Sequence, residues 1–475
     1  MDNYFFSDEM LSDSFGTYNA AAMRIKITKT ADSKPINHQK FSLLSNFDCT
    51  TLFHEYIHHL QNTSTITGIQ HLDLLVSMWQ NTRNYIDKEN DIGSYERSKS
   101  AFIKSFEYND NNKSILNRKE EFLIHSFNDL SATFGFFLNS APPPENILQP
   151  ASITCMQGEN KIIVKFGIYE FQEGCAHLME KVLCEKTQLE ADKYNADLIP
   201  YKIIFHIRDH LFSKCTNENL IAIMLAAMQH AAPHKLFIFL LTLFGYKNEE
   251  KCQCEEKCHC SSQSTIRNEC EDYARQLIEQ NESWIESCKK SIYEGFKLDD
   301  PFLGNIIKNI IDNIGKKTIT RKEKPFIELD FLQTVTSENF RDKLEQLIID
   351  NGGCGYYVED NISYPKKNLT WVIIEGTEPF LLDSKEWLTF QAAMNYTRRH
   401  YRGIDISSIK ITMPNLNFPC PLQKVCNHSF NRDDSDCFEC SPAKLPVAKI
   451  GIENCPYQLA VFKTSLSNHI PLMKE

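Results

Sequence analysis

The amino-acid sequence predicts an α+β protein that is predominantly helical and has a cysteine-rich C-terminal region. Apolar side chains recur at the period of an α-helix through most of the first half of the chain. Only a few short segments show the alternation or the β-branched composition that is typical of strands. Many of the 17 cysteines in this 475-residue chain gather in two clusters in its second half.

The elements follow from these patterns. A helix is predicted around residues 51–61, with Asp48 as its N-cap. Further helices are predicted at 69–87, 119–139, 271–297, 302–314, 337–350 and 384–399, and the block 170–246 is almost wholly helical by its apolar spacing. Strands are predicted at 23–28, 161–166, 370–375 and 409–413. The basic residues 316–322 are predicted to form a linker.

The stretch His54-Glu55-Tyr56-Ile57-His58 is the strongest functional signal in the sequence. Residues four apart share one face of a helix, so His54 and His58 can place two imidazole nitrogens on one metal ion. Glu55 then lies beside the site, where it can take a proton from a water on that metal. The apolar neighbours indicate a helix that crosses a core, although a surface helix with two satisfied histidines is the alternative.

A catalytic zinc site also needs a third protein ligand, and a second motif far downstream bears on it. With His-Glu-x-x-His and the segment Glu173-Gly174-Cys175-Ala176, the chain resembles the gluzincin metallopeptidases. In their aminopeptidase branch, a similar Asn-Glu-Gly-Phe-Ala segment opens a second helix and supplies the third ligand. The resemblance implies a zincin-like metallopeptidase domain in which His54, His58 and Glu173 bind zinc. It also implies that the strand 23–28 is the sheet edge along which an extended substrate binds.

Other residues stay open as the third ligand. The segment 189–192 resembles the Glu-x-x-Ala-Asp segment of other zincins, but Gln188, a poor zinc ligand, occupies the position of the ligand there. Glu180 lies two turns after Glu173 on the same helical face, so it is predicted to contact a ligand instead of the metal. The remaining alternatives are Glu190, Glu170 and His177.

Hydrolysis through a tetrahedral intermediate requires a hydrogen-bond donor for the oxyanion. In gluzincins a Tyr or His after the third ligand serves, and the candidates in this chain are Tyr194, Tyr201, His206, His210 and His230. His59 is rotated by about 100° from His58 around the helix, so it is predicted to be packed or solvent-facing and not a ligand.

Two cysteine sets predict one or two structural zinc ions besides the catalytic one. The first set is a Cys-x-Cys-x3-Cys-x-Cys run, and the second forms two pairs that are separated by a short loop, as in structural zinc sites. Free or redox-active thiols are the alternative. The first set is Cys252, Cys254, Cys258 and Cys260, and the second is Cys420, Cys426, Cys437 and Cys440. The scattered cysteines Cys49, Cys155, Cys175, Cys184, Cys215 and Cys288 are predicted to be small core residues.

Charge and hydropathy exclude several classes of partner. The net charge is −11 and no basic tract stands out, which argues against a general nucleic-acid binder. No apolar run is long enough for a membrane span, and Met1-Asp2-Asn3-Tyr4 does not open a secretory signal. The sequence therefore predicts a cytoplasmic protein that binds neither nucleic acid nor membranes.

The predicted function is a zinc-dependent endopeptidase that hydrolyses peptide bonds in a protein or peptide substrate, with a regulatory protein as a further partner. The predicted domains are a zincin-like catalytic domain (1–246), a Cys-rich and helical region (247–324) and a C-terminal α+β domain with zinc knuckles (325–475). One alternative is a metal-stabilised regulatory or interaction protein whose zincin site is not catalytic. The other is a zinc hydrolase that acts on a non-peptide amide or ester.

Overall fold

The computed structural model describes most of the chain up to residue 375 and two short segments after it. The described residues are 16–19, 24–29, 44–87, 92–106, 120–128, 130–138, 147–189, 196–252, 263–295, 303–360, 369–375, 401–402 and 410–411. Helices dominate these ranges, which confirms the predicted predominantly helical α+β class. No helix within them combines the length and the apolar character that a bilayer crossing requires.

The helices bear out most of the periodic segments. In chain order they are α1 (Asn46–Thr63), α2 (Ile66–Asp87), α3 (Ile92–Phe106), α4 (Ser131–Phe137), α5 (Ile168–Thr187), α6 (Ile203–Leu211), α7 (Asn217–Ala227), α8 (Pro233–Cys252), α9 (Gln263–Gly295), α10 (Leu303–Thr320), α11 (Ile327–Thr334) and α12 (Phe340–Asp350). A π-helical turn at Leu198–Lys202 precedes α6. The predicted helix at 384–399 lies outside the described residues.

The strands form three small sheets. In chain order they are β1 (Gly16–Asn19), β2 (Arg24–Lys29), β3 (Leu123–Asn128), β4 (Ala151–Gln157), β5 (Asn160–Phe166), β6 (Gly353–Asp360), β7 (Leu369–Glu375), β8 (Tyr401–Arg402) and β9 (Lys410–Ile411). The first sheet has the order β1-β2-β6-β7, the second is the antiparallel meander β3-β4-β5, and β8 pairs with β9. The predicted strands 23–28, 161–166 and 370–375 are confirmed, and that at 409–413 is reduced to two residues.

Helix α1 lies inside the core. Its N-cap is Ser45, whose Oγ accepts a hydrogen bond from the backbone N–H of Asp48 at 3.0 Å. The prediction of Asp48 as the cap is therefore wrong, because the helix begins one turn earlier and Asp48 lies in its first turn, close to the positive end of the helix dipole. From Asp48 to Thr63 every residue of α1 is buried, so the helix is enclosed on all sides, as its apolar composition predicted.

The predicted helix at 119–139 is wrong, because a strand and a short helix replace it. Its apolar residues Leu123, Ile124 and Phe127 satisfy a helical spacing, but the segment pairs with β4, with Phe127 opposite Ile153. Pairing with a neighbouring strand satisfies the backbone of 123–128 across the sheet, and only then does the chain turn into α4.

Two further predictions about connections need correction. The strand 23–28 was predicted as the sheet edge, but β2 lies between β1 and β6, so the strand at this edge is β1. The basic residues 316–320 are not a linker, because they form the last turns of α10. Both corrections come from packing against distant segments, which the local pattern does not record.

Residues from all three predicted domains contribute to one buried core. Strand β2 pairs in parallel with β6, so the Ile25 backbone lies opposite Tyr356 across the sheet. Phe237 and Cys270 are buried in the same core cluster. Residues on both sides of the predicted boundaries at 246 and 324 therefore pack together. The scattered cysteines Cys49, Cys155, Cys175, Cys184, Cys215 and Cys288 are buried, as predicted.

A buried ion pair ties the end of α1 to α10 and α11. Arg321 and Glu328 form two hydrogen bonds, and the side chain of each is only 2% exposed. Arg321 Nε also donates to the Oγ of Ser64, the residue that follows α1, at 2.8 Å. Nη1 of the Arg321 guanidinium donates to the backbone carbonyl of Pro325 at 3.0 Å. The chain after residue 300 thereby holds the C-terminal end of α1.

We expect Arg321→Met to lower the free energy of unfolding by about 3–5 kcal/mol, because it leaves the carboxylate of Glu328 buried without its partner. Urea denaturation would measure the change. The double variant Arg321→Met/Glu328→Leu should recover most of the loss, since apolar side chains can replace a buried pair. As a control, Lys247→Met removes an ion pair with Glu269 whose side chains are 45% and 38% exposed, and should cost at most about 1 kcal/mol. If Arg321→Met and Lys247→Met lowered the free energy of unfolding equally, the buried pair of Arg321 and Glu328 would have no special role in stability.

Candidate metal centre

The candidate centre lies where α1 and α5 pack against each other. His54 and His58 are one helical turn apart on α1, and Glu173 lies on the first half of α5. Close packing against α6 explains why a glycine follows Glu173: a Cβ at Gly174 would lie only 2.6 Å from Cγ2 of Ile204. A residue without a side chain therefore lets α5 approach α6 closely at the point where Glu173 is presented.

Three side-chain atoms converge at this crossing. The Nε2 atoms of His54 and His58 are 3.3 Å apart, and Oε2 of Glu173 lies 3.6 Å from the first and 3.4 Å from the second. Tetrahedral zinc with bonds of about 2.0–2.1 Å holds its ligands about 3.3–3.4 Å apart. The triangle of His54, His58 and Glu173 therefore fits one face of a tetrahedral site and could hold a metal ion.

Each imidazole has a polar partner on the side that faces away from this triangle. Nδ1 of His54 lies 3.0 Å from Oε2 of Glu180, and Nδ1 of His58 lies 2.9 Å from Oε1 of Gln61. A carboxylate behind a histidine ligand keeps the proton on Nδ1 and leaves the lone pair of Nε2 for the metal. Glu180 therefore contacts the candidate ligand His54, as the sequence predicted.

The charges in the centre stabilise one another. Burial alone would lower the pKa of His54, but the hydrogen bonds that its ring donates to Glu173 and Glu180, together with the charge of Glu180, outweigh this effect and raise the pKa well above its usual value. Burial would raise the pKa of Glu173, whereas the imidazoles of His58 and His54 hold it well below its usual range. Glu173 is thus an ionised carboxylate that attracts positive charge into the triangle.

Glu55 lies beside the ligands and against strand β1. A Cβ at Gly16 of β1 would lie 2.7 Å from both Oε1 of Glu55 and Cγ2 of Thr51, so glycine lets β1 approach α1 closely without a shift of these side chains. Burial raises the pKa of Glu55 to about 7, and the neighbouring imidazoles of His54 and His58 limit the rise. A carboxylate with a pKa near neutrality is suited to accept and return a proton at neutral pH.

Among the oxyanion candidates that the structure describes, Tyr201 is the one whose ring neighbours that of the candidate ligand His54. Its ring centroid lies 6.3 Å from that of His54. The negative charge of Glu173, together with burial, raises the pKa of Tyr201, so its phenol stays protonated and can donate. The other described candidates pack against aromatic residues: His206 on Phe122, His210 on Phe127 and His230 on Phe137. Tyr194 lies outside the described residues.

The alternative third ligands that the structure describes have other contacts. Glu170 accepts a hydrogen bond from the backbone N–H of Gly167 at 2.9 Å and so caps α5. His177 contacts the ring of Tyr201 and is not part of the converging group. His59 is 1% exposed and stacks on Tyr56, which confirms that it is packed. Glu190 lies outside the described residues.

The cysteine sets cannot be placed in the same way. Cys252 is the last residue of α8, and its side chain is outside the described part of the chain, as are Cys254, Cys258, Cys260, Cys420, Cys426, Cys437 and Cys440. The predicted structural zinc sites therefore stay predictions.

Sequence reasoning missed two residues of the centre. Gln61 lies three residues after His58 on the same helix, and this spacing is a signal that could have identified it. Gly16 lies on a distant strand with no local signal for its contact with Glu55.

Comparisons with protein-family models, with curated proteins and with solved structures find no match for this chain.

We expect Glu173→Ala to lower the affinity for zinc by more than about 100-fold, because it removes a ligand, and Glu180→Ala to lower it by about 10- to 100-fold. Titration of the metal-free protein against a competing chelator would rank the variants. The matched control is Glu185→Ala, which removes an exposed carboxylate from the same helix and should bind zinc like the wild type. An affinity of Glu173→Ala equal to that of Glu185→Ala would exclude Glu173 as a ligand.

Proposed function

We propose that this chain is a zinc-dependent metallopeptidase that hydrolyses peptide bonds in a protein substrate. The observation that carries the proposal is the position of Glu55, a carboxylate that is not needed for the triangle of His54, His58 and Glu173 yet lies buried beside it. A site that only stabilises a fold has no use for a general base next to its ligands. The separations within the triangle support zinc, and the donor set of two imidazoles and one carboxylate is common in catalytic zinc sites.

Zinc in this triangle would supply a water of lowered pKa and would polarise the scissile carbonyl. Glu55 would accept the proton of the attacking water and deliver it to the leaving amine, since its pKa of about 7 suits both transfers. Burial of Glu55 excludes bulk water from the proton transfer, because its side chain lies between α1 and β1.

Tyr201 would donate its phenol O–H to the oxyanion that develops during the attack. Its position next to His54, on the π-helical turn before α6, supports this role. Since its pKa is raised, it remains a neutral hydrogen-bond donor throughout the neutral pH range.

The sheet next to α1 supports an extended peptide as the substrate. Strand β1 lies at one end of the described strand order β1-β2-β6-β7, and Gly16 on it lies against Glu55. An edge strand offers backbone groups to a peptide that pairs with it, and β1 would then hold the peptide beside the general base. One or two structural zinc ions in the cysteine sets, a regulatory protein partner and a location in the cytoplasm belong to the proposal on sequence grounds.

Glu55→Gln should abolish peptide hydrolysis, with a loss of at least about 10²–10⁴-fold, because the amide keeps the shape of the side chain but cannot accept the proton. Cleavage of a peptide library, read by mass spectrometry, measures activity, and metal analysis of the same samples should show unchanged zinc.

The control for this variant is Glu185→Gln, which makes the same change at an exposed position of α5. Full activity of Glu55→Gln would mean that another group is the base. A wild type that binds zinc but cleaves no peptide would favour the alternatives, a regulatory protein or a hydrolase of non-peptide amides.

Tyr201→Phe should lower kcat by about 10²–10³-fold with little change in KM, because the lost hydrogen bond forms mainly in the transition state. The measurement is steady-state cleavage of the best library peptide. Tyr246→Phe, at a tyrosine that is 62% exposed, is the matched control. A loss confined to KM would assign Tyr201 to substrate binding.

A further inference from the structure

Gln61 connects the two helices that carry the candidate ligands. Its side chain is buried, with the residue only 3% exposed. Oε1 lies 2.9 Å from Nδ1 of His58, and Nε2 donates to the backbone carbonyl of Gln172 at 3.3 Å. Gln172 is the residue immediately before Glu173. One amide group therefore contacts a ligand of α1 and the backbone that presents the ligand of α5.

The carbonyl of Gln172 decides the orientation of this amide. If the amide were reversed, Oε1 would face the Gln172 oxygen and two acceptors would meet without a proton between them. Nε2 must therefore point to Gln172, which leaves Oε1 facing His58. Since Oε1 can only accept, Nδ1 of His58 carries a proton, and in the neutral ring the lone pair of Nε2 faces the triangle.

We infer that Gln61 is a positioning residue of the metal centre, which sets the tautomer of His58 and the register of α5 against α1; the inference rests on the proposed zinc site. Glu180 does the same for His54, but through a carboxylate on α5 itself. The two residues have separate targets, because Glu180 acts on the first histidine and Gln61 on the second. Gln61 alone also contacts the backbone next to Glu173.

The test uses Gln61→Met, which keeps the length of the side chain and removes both hydrogen bonds, and Gln61→Glu, which keeps an acceptor for His58 but loses the donor to Gln172. Zinc affinity of Gln61→Met should fall by about 10- to 100-fold. Gln61→Glu should retain the Nδ1–H tautomer of His58. Gln157→Met is the matched control, because the Gln157 amide also donates to a backbone carbonyl, that of Glu120, on a different element.

A direct readout is the tautomer of His58 in the metal-free protein, at a pH high enough that its ring is neutral, from ¹⁵N shifts of labelled histidine, with the signal assigned by its loss in His58→Asn. We expect Nδ1–H in the wild type, in Gln61→Glu and in Glu180→Ala, and a mixture of tautomers in Gln61→Met.

A purely structural role of Gln61 would lower thermal stability without changing the tautomer of His58. An unchanged tautomer and zinc affinity in Gln61→Met would overturn the inference while leaving the proposed function intact. A wild type without zinc affinity would overturn the proposed function, and the tautomer readout would still test the contact between Gln61 and His58.

Discussion

Helices α1 and α5 meet where His54, His58 and Glu173 converge, and their separation at that point is the constraint on which the rest of the centre depends. Ligand atoms 3.3 to 3.6 Å apart leave little tolerance for movement of either helix. Gly174 permits α5 to pack against α6, and the amide of Gln61 joins α1 to the backbone of α5. Packing and hydrogen bonding therefore both fix the separation of α1 and α5 at the centre.

The second constraint is electrostatic. Glu55, Glu173 and Glu180 bring three carboxyl groups close to two imidazoles in a largely buried space. Burial of charge is unfavourable unless opposite charge is present, and the raised pKa of His54 shows how strongly the cluster attracts a positive charge. A divalent cation would satisfy the same demand with one ion, and its binding would displace protons from both histidines.

The later part of the chain contacts the elements that surround the centre. Strand β6 lies beside β2 in the sheet that carries β1 to Glu55, and Arg321 hydrogen-bonds to Ser64 at the end of α1. Residues that are several hundred positions from the His-Glu-x-x-His motif thus contact both the sheet beside Glu55 and the C-terminal end of α1. The C-terminal half is part of the scaffold of the centre and not only an addition to it.

The sequence by itself determined that His54 and His58 lie on one face of a helix with Glu55 next to them, because residues four apart must share a helical face wherever the helix lies. It also identified most helices, since their apolar period is a local property, and it pointed to Glu173 through a short motif. Only the tertiary structure decided that Glu173 meets the histidines, that β1 and not β2 is the edge strand, and that residues 123–128 form a strand. These outcomes depend on contacts between distant segments, and so do the roles of Gln61 and Gly16, for which the chain carries no local pattern except the spacing of Gln61 from His58.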